Sequence, residues 1–271
     1  MQRKYQILIV ALLLAASGVA FAQRGFRRQR EIRPEMIDRG DVPVWPVAER
    51  FKADAFTFAR VRYNSWRGWG KWAVDFPDSD LNFSYRLHEL TALEVDPYGK
   101  IVELTDDNLF DYPFIYLIEP GDLHFSDEEL IALRRYLFNG GFLMVDDFWG
   151  EYEWANFYEE IKRVFPDREP LELPLEHEIF HCVYDLKQKP QIPSIGWIHH
   201  GRTDDGRPDA PEAHYKAIFD DKGRMMVIIC HNTDLGDGWE REGEDTRYFK
   251  EFSEKWAYPL GINILTYAMT H

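Results

Sequence analysis

Carboxylates and tryptophans in this chain cluster directly after short apolar runs. Val145 is followed by Asp146, Asp147 and Trp149, and Cys230 by His231, Asn232, Asp234, Asp237 and Trp239. Ile118 is followed by Glu119, and the alternating run at 57–63 by Trp66, Trp69, Trp72 and Asp75. Carboxylates accept hydrogen bonds from hydroxyl and ammonium groups, and indole rings stack on flat apolar faces such as those of sugars. A site drawn from Trp72, Asp75, Asp146, Asp147, Trp149, Asp234 and Trp239 would suit a polar small molecule, a saccharide for example. The same residues have an ordinary structural use. An Asp after a strand caps the next helix, and a Trp there covers an edge of the core. Adjacent carboxylates can also hold a cation or an Arg, but the sequence assigns no metal ligands and no cofactor.

A second pattern competes. His177-Glu178-Ile179-Phe180-His181 fits H-E-x-x-H, in which two His one helical turn apart grip zinc while the Glu activates water. Pro174 and Pro190 bound the stretch closely, and no third ligand follows at a recognisable spacing. A zinc metallopeptidase is therefore a minor alternative, and His177 is expected at the ligand site on its own account. A hydrolase using Asp146 or Asp147 with His177 or His231 is a further alternative. No G-x-S-x-G is present, and Gly68-Trp69-Gly70 lacks the strand–helix context of a dinucleotide loop.

The elements that must position these residues are legible. Residues 57–63 alternate and read as a strand. Asp78 or Asp80 starts a helix reaching about Leu90, and residues 101–104 form a short or edge strand. Residues 114–118 and 142–145 are apolar throughout, as expected of strands buried on both faces. Between them, Ser126-Asp127-Glu128-Glu129 is a capping box, and Gly140 or Gly141 supplies a left-handed helix end. Residues 154–165 form a helix stopped by Pro166. Residues 175–186 fit either a helix or a strand, and 187–213 read as a long loop. Residues 215–219 and 225–230 make a hairpin. Residues 254–269 close the chain as a helix that Pro259 must kink or begin. Strands alternating with helices predict an α/β sandwich with a mainly parallel sheet, whose ligands bind beyond the carboxyl ends of the strands.

The order of motifs carries a resemblance. Tyr112-Pro113-Phe114 leads into an apolar strand, and Phe125-Ser126-Asp127-Glu128-Glu129 follows. Then come Gly140-Gly141-Phe142-Leu143 with Asp146-Asp147, His177-Glu178-Ile179-Phe180, Asp234-Leu235-Gly236-Asp237-Gly238-Trp239-Glu240 and Leu260-Gly261-Ile262-Asn263. Over roughly residues 56–270 the chain resembles the DUF4159 family, a bacterial family of exported domains of unknown function. That family is placed with the class I glutamine amidotransferase-like superfamily. The resemblance implies a flavodoxin-like three-layer sandwich. It does not imply glutaminase activity, because the strand after the Gly pair should end in a nucleophilic Cys and here reads Val145-Asp146-Asp147.

Residues 1–22 have the form of a signal peptide. Arg3 and Lys4 precede an apolar run, and Ala20-Phe21-Ala22 is a cleavage signal, with cleavage expected after Ala22. An uncleaved N-terminal anchor is the alternative; no later segment reads as a membrane span. Residues 23–55 read as a basic, Pro-containing linker and 56–271 as one α/β domain. Export places the chain in the periplasm or outside the cell, where Cys182 and Cys230 would be free to pair or to stay buried thiols. From Pro34 onward there are 25 basic against 46 acidic residues, a body that repels nucleic acid. A basic partner remains compatible with it. A structural or interaction module of a cell-envelope complex, with an envelope protein as partner, is thus the non-ligand alternative.

Overall fold

Phe114–Ile118 (β4) and Phe142–Asp146 (β6) are buried at every position, as strands covered on both faces must be. They lie side by side at the centre of a seven-stranded sheet. Its other members are Ala59–Val61 (β1), Lys100–Val102 (β3), Leu171–Glu172 (β7), His214–Phe219 (β8) and Met225–His231 (β9). The order is β3-β1-β4-β6-β9-β8-β7. The five strands from β3 to β9 run parallel, and the β8–β9 hairpin and β7 add an antiparallel edge. Asn64–Ser65 (β2) and Leu123–His124 (β5) pair separately. The chain is thus an α/β protein with a mostly parallel sheet. The computed structural model describes residues 37–52, 54–66 and 70–271. The expected signal segment and the cleavage expected after Ala22 lie outside the described residues.

Alternate residues of each central strand enter different cores. Phe114, Tyr116 and Ile118 pack with Phe83 and Leu87 of the helix Asp78–Leu90 (α1), with Trp239 of the short helix Leu235–Glu240 (α4), and with Leu260 and Ile264 of Tyr258–Thr270 (α6). Ile115 and Leu117 pack instead with Leu133 and Leu137 of Asp127–Phe138 (α2) and with Phe157 and Ile161 of Gly150–Val164 (α3). The period of two in a strand therefore feeds two helical layers, one on each face.

The helix ends follow their residue types. Ser126 accepts from the Glu129 amide at 3.2 Å while Glu129 reaches back to the Ser126 amide at 2.8 Å, which completes the expected capping box. Gly140 takes φ +106° just beyond the end of α2. Before α6, Thr246–Tyr248 (α5) and the wide turns of Phe249–Ala257 form one helical path, with the Tyr258 amide reaching five residues back to Ser253. Pro259, which has no amide hydrogen, sits in the first turn of α6.

Two expectations need correction, and the open choice for the cysteines is decided. Residues 175–186 are neither helix nor strand but contain one tight turn, Glu178–Phe180. Part of the presumed linker belongs to the domain: Trp45 is buried, stacks on His88 at 4.5 Å and donates to Val95 O at 2.8 Å. A large indole next to an apolar groove is held by burial whatever its neighbours' polarity. Cys182 and Cys230 remain separate thiols.

Arg60 of β1 is the one fully buried Arg among the described residues. Its Nε bonds both oxygens of Asp80 at 3.0 Å, Nη1 bonds Trp72 O at 3.0 Å and Val74 O at 2.9 Å, and Nη2 bonds Ser79 Oγ at 2.7 Å. A buried charge is tolerable only when paired and hydrogen-bonded in this way. Removing the carboxylate leaves the buried guanidinium charge without a counterion. Asp80→Asn should therefore cost about 3 kcal/mol in urea unfolding, whereas Glu128→Gln on the exposed face of α2 should cost under about 0.5 kcal/mol. A loss at Asp80 no larger than the one at Glu128 would show that the ion pair does not hold this region.

Candidate functional site

The carboxyl ends of the four adjacent strands β1, β4, β6 and β9 share a backbone peculiarity. Asp75, Glu119, Asp147 and Asn232, one in each following segment, adopt positive φ of 60°, 48°, 55° and 60°. A fifth such residue, Asp205 at 49°, comes from the long loop that packs over them. Non-glycine residues rarely take this conformation, and it persists only where the surroundings over-determine it. At Asp75, Glu119, Asp147 and Asp205 it turns side chains off the strand direction and into a shared cleft, whereas Asn232 faces the Gly150 amide and Glu212 O. The cleft has a volume of about 370 Å³, and Lys71, Asp75, Glu119, Asp147, Trp149 and Asp234 are among the residues lining it.

Each wall has its own support. Tyr63 OH donates to Ile118 O at 2.9 Å and Glu119 O at 2.6 Å, fixing the end of β4. Lys71 pairs with Glu119. Trp149 Nε1 donates to Asp147 Oδ1 at 2.9 Å. Asn232 accepts from the Gly150 amide at 2.8 Å, joining the β9 turn to the start of α3. Asp234 caps α4 by accepting from the Asp237 amide at 2.6 Å. From the long loop, Ser194 Oγ donates to Asp205 at 2.6 Å and Arg207 pairs with Glu153 at 3.1 Å.

Adjacent carboxylates have different fates. Asp146 is wholly buried, and its Oδ2 accepts from Tyr116 OH at 2.9 Å and from the Leu235 and Gly236 amides at 3.0 Å. It fastens α4 to the sheet rather than lining the cleft. Asp147 turns the other way. One oxygen each from Asp75, Asp147 and Asp234 come within 4.8 Å of one another, and the same holds for Asp75, Asp237 and Glu240. Asp75 belongs to both groups.

Burial and mutual repulsion act together on these acids. Burial first, then Asp237, pushes Asp75 up to about 7. Burial pushes Asp146 up to about 7 despite its Tyr116 bond. Asp147 is held well above the usual range by burial and then by Glu119 and Asp75, and Asp234 by burial and then by Asp147 and Asp75. Glu240 rises to about 8 through burial and Asp75.

Of the residues singled out in the sequence, Asp75, Asp147, Trp149 and Asp234 meet in the cleft. The other four, Asp146, Trp239, Trp72 and His177, do not line it. Trp239 is fully buried and stacks on Phe83 at 4.3 Å, because α4 turns its indole under the sheet rather than over the rim. Trp72 is half-buried beneath Arg62 and contributes its carbonyl to Arg60. His177 packs near Phe219 and Tyr267, beyond the opposite end of the sheet, and its Nδ1 accepts from the Ile179 amide. Since 178–180 is a single tight turn, His177 and His181 are not stacked on one helix face. His181 bonds Asp185 at 2.7 Å and Leu175 O at 2.7 Å instead. His231 packs on Phe148 and Trp154 and bonds Gly150 O at 3.1 Å. Among the described residues no His lines the acidic cleft, so the pairing of Asp147 with a His base does not form.

Sequence reasoning missed Lys71, Asp205, Arg207 and Arg241. The last pairs with Asp237 at 3.0 Å and Glu240 at 2.7 Å. Asp205-Gly206 carried a turn signal, but nothing in the loop's sequence said which end of the sheet it covers.

The raised acids make a signed statement about stability. Each holds its proton more tightly folded than unfolded, so the native state binds more protons between about pH 4 and 8. Stability then falls as pH rises through that window. In chelator-containing buffer the Tm should be several degrees lower at about pH 8 than at about pH 5.5. A Tm that climbs steadily across the same range would refute the assignment.

No helix among the described residues is long and apolar enough to cross a membrane. No curated protein sequence matches the chain. The profile of the domain of unknown function DUF4159 matches residues 57–269, from β1 to the last turn of α6, and so takes in every strand end that lines the cleft. The chain belongs to the DUF4159 family.

Proposed function

We propose that this chain is an exported, flavodoxin-like sandwich domain that binds a polar ligand bearing hydroxyl or amine groups, a saccharide or envelope component, in the acidic cleft, without glutaminase activity. The parallel strands support the fold assignment. In chain order they are β1, β3, β4, β6 and β9, and across the sheet they read 2-1-3-4-5, the flavodoxin-like order. In that order the ligand crevice lies outside the carboxyl ends of the strands, where this cleft opens.

The observation that carries the reading is the convergence of left-handed Asp75, Glu119, Asp147 and Asp205 on one cleft. An ionised carboxylate is an acceptor only, so such a wall selects donors: hydroxyls, amines and cations. Its field disfavours anionic ligands. Asp147 stands at the sharp turn between β6 and α3, where an amidotransferase-like fold would carry its nucleophilic thiol. A carboxylate there cannot perform thiolate attack on glutamine.

A thermal-shift panel of neutral sugars, amino sugars and acidic sugars separates these possibilities. Neutral or amino sugars should raise the Tm of the wild type in chelator-containing buffer, and acidic ones should not. Asp147→Asn should weaken the best binder by about tenfold or more, the worth of a charged hydrogen bond. If no sugar or amine shifts the wild type, or the variant binds as well, the cleft is not a site for such ligands.

Export rests on the sequence of residues 1–22. When the full chain is expressed with a C-terminal tag in a bacterium, the product should appear outside the cytoplasm with Gln23 at its N-terminus. An intact Met1 in the cytoplasmic fraction would count against export, and an intact one in the membrane fraction would favour the uncleaved anchor.

A further inference from the structure

We propose that Asp75, Asp147 and Asp234 hold a hard divalent cation of calcium's size at the base of the cleft. The proposal goes beyond the polar-ligand reading and does not require it. Three carboxylate oxygens from the segments after β1, β6 and β9 lie within 4.8 Å of one another. Oxygens that close can meet on one ion, and calcium, which takes several protein oxygens at about 2.3–2.6 Å, suits a three-carboxylate set better than magnesium, which keeps most of its water. All three candidate ligands are oxygens, the set that hard cations prefer to zinc or copper.

The cluster differs from an exposed acidic patch in two respects. Asp147 is 8% and Asp234 4% exposed, so neither charge is dissipated in water. The Asp75 Oδ2 atom is entirely buried and has no hydrogen-bond partner. It faces the start of α4, where a Cβ built on Gly236 would lie 2.6 Å from it, and Asp75 lines the cleft together with Asp147 and Asp234. An orphaned, buried carboxylate oxygen costs several kcal/mol unless something positive or a proton meets it.

The protein's own cations are engaged elsewhere. Among the described residues, Lys71 pairs with Glu119, Arg60 with Asp80, Arg241 with Asp237 and Glu240, and Arg207 with Glu153. None of these bonds a carboxylate of the Asp75–Asp147–Asp234 group. A bound cation would supply the missing positive charge, and its remaining positions would open toward the cleft for water or ligand hydroxyls.

The test uses the full-length chain, stripped with chelator and dialysed, then titrated with calcium, magnesium or manganese chloride at physiological salt. Calcium should bind at one site per chain by calorimetry and raise the Tm by several degrees. Asp75→Asn and Asp147→Asn should each lower calcium affinity at least tenfold while the metal-free Tm stays level or rises, since one repelling charge is gone. Near-UV circular dichroism verifies that each variant is folded, and Asp221→Asn on the exposed hairpin turn should bind calcium as the wild type does. Terbium, a calcium surrogate excited through nearby indoles, gives a readout on unaltered ligands. Its sensitised emission should be displaced by calcium and should fall in Trp149→Phe, because Trp149 bonds Asp147. A wild type that none of the three ions stabilises, or equal calcium affinity in the wild type and both Asp variants, overturns the proposal. Terbium emission unchanged by Trp149→Phe overturns the placement at Asp147.

Discussion

The arrangement of the strand-end rim depends on one buried guanidinium. Arg60 sits in β1 between Ala59 and Val61, where a strand of this sheet would ordinarily carry an aliphatic side chain. Its bonds to Trp72 O, Val74 O, Ser79 and Asp80 pull the segment after β1 back over the sheet and start α1. Asp75 lies inside that bonded span, and its own carbonyl accepts from the Ser79 amide at 2.9 Å, so Arg60 and the first turn of α1 place it together. Arg60 also lies 5.1 Å from the centre of the Tyr116 ring, whose hydroxyl holds Asp146, which in turn holds the first amides of α4. A continuous polar chain thus runs beneath the ends of β1, β4 and β6 and reaches the segment after β9. Buried networks of this kind specify one arrangement because each member left unpaired is costly.

Above that chain the charge balance turns acidic. Below, one Arg meets one Asp. At the rim, Asp75, Asp147, Asp234, Asp237, Glu119 and Glu240 outnumber Lys71 and Arg241. Left-handed backbone at four successive strand ends adds about 1–3 kcal/mol of strain at each. Stability alone would favour Gly at such turns and fewer buried acids. Retaining both costs is what a preorganised polar site requires, because side chains already turned toward a ligand need not be reordered when it binds.

The framework was legible where one physical rule dominated. Uninterrupted apolar runs marked β4 and β6, the capping box marked the start of α2, and the strand-end rule led to the rim where the acidic cleft opens. The failures have a common cause. In a period-two structure neighbours face opposite ways, so Asp146 and Asp147 could not both line the cleft; the sequence alone does not say which one turns inward. Trp149 and Trp239 occupy equivalent places in the text of the chain. One bonds a cleft carboxylate, while the other is drawn under the sheet by Phe83 on α1, a helix 156 residues earlier in sequence. His177 failed for a similar reason: its place depends on tertiary packing against Tyr267, to which local spacing is blind.

The cleft's outer wall shows where specificity can vary without disturbing this framework. Ser194, Asp205 and Arg207 come from a stretch whose only regular element is the turn at Ile195–His200. Three of its bonds go to the segment after β9: Ile192 bonds Thr233 at 3.0 Å, the Ile195 amide bonds Asp237 at 2.5 Å, and Gln191 bonds Asn232 O at 3.1 Å. Arg207 to Glu153 and Asp209 to the Glu151 amide tie it to α3 as well, so the loop takes its position from the segments after β6 and β9 that present the acids. Substitutions between the anchors can reshape the wall while leaving the polar chain under Asp75 and Asp146 intact. Changes at Arg60, Tyr116 or Asp146 must instead move several strand ends together. The strand ends therefore fix the acidic character of the cleft, and the loop's freedom lies in its shape.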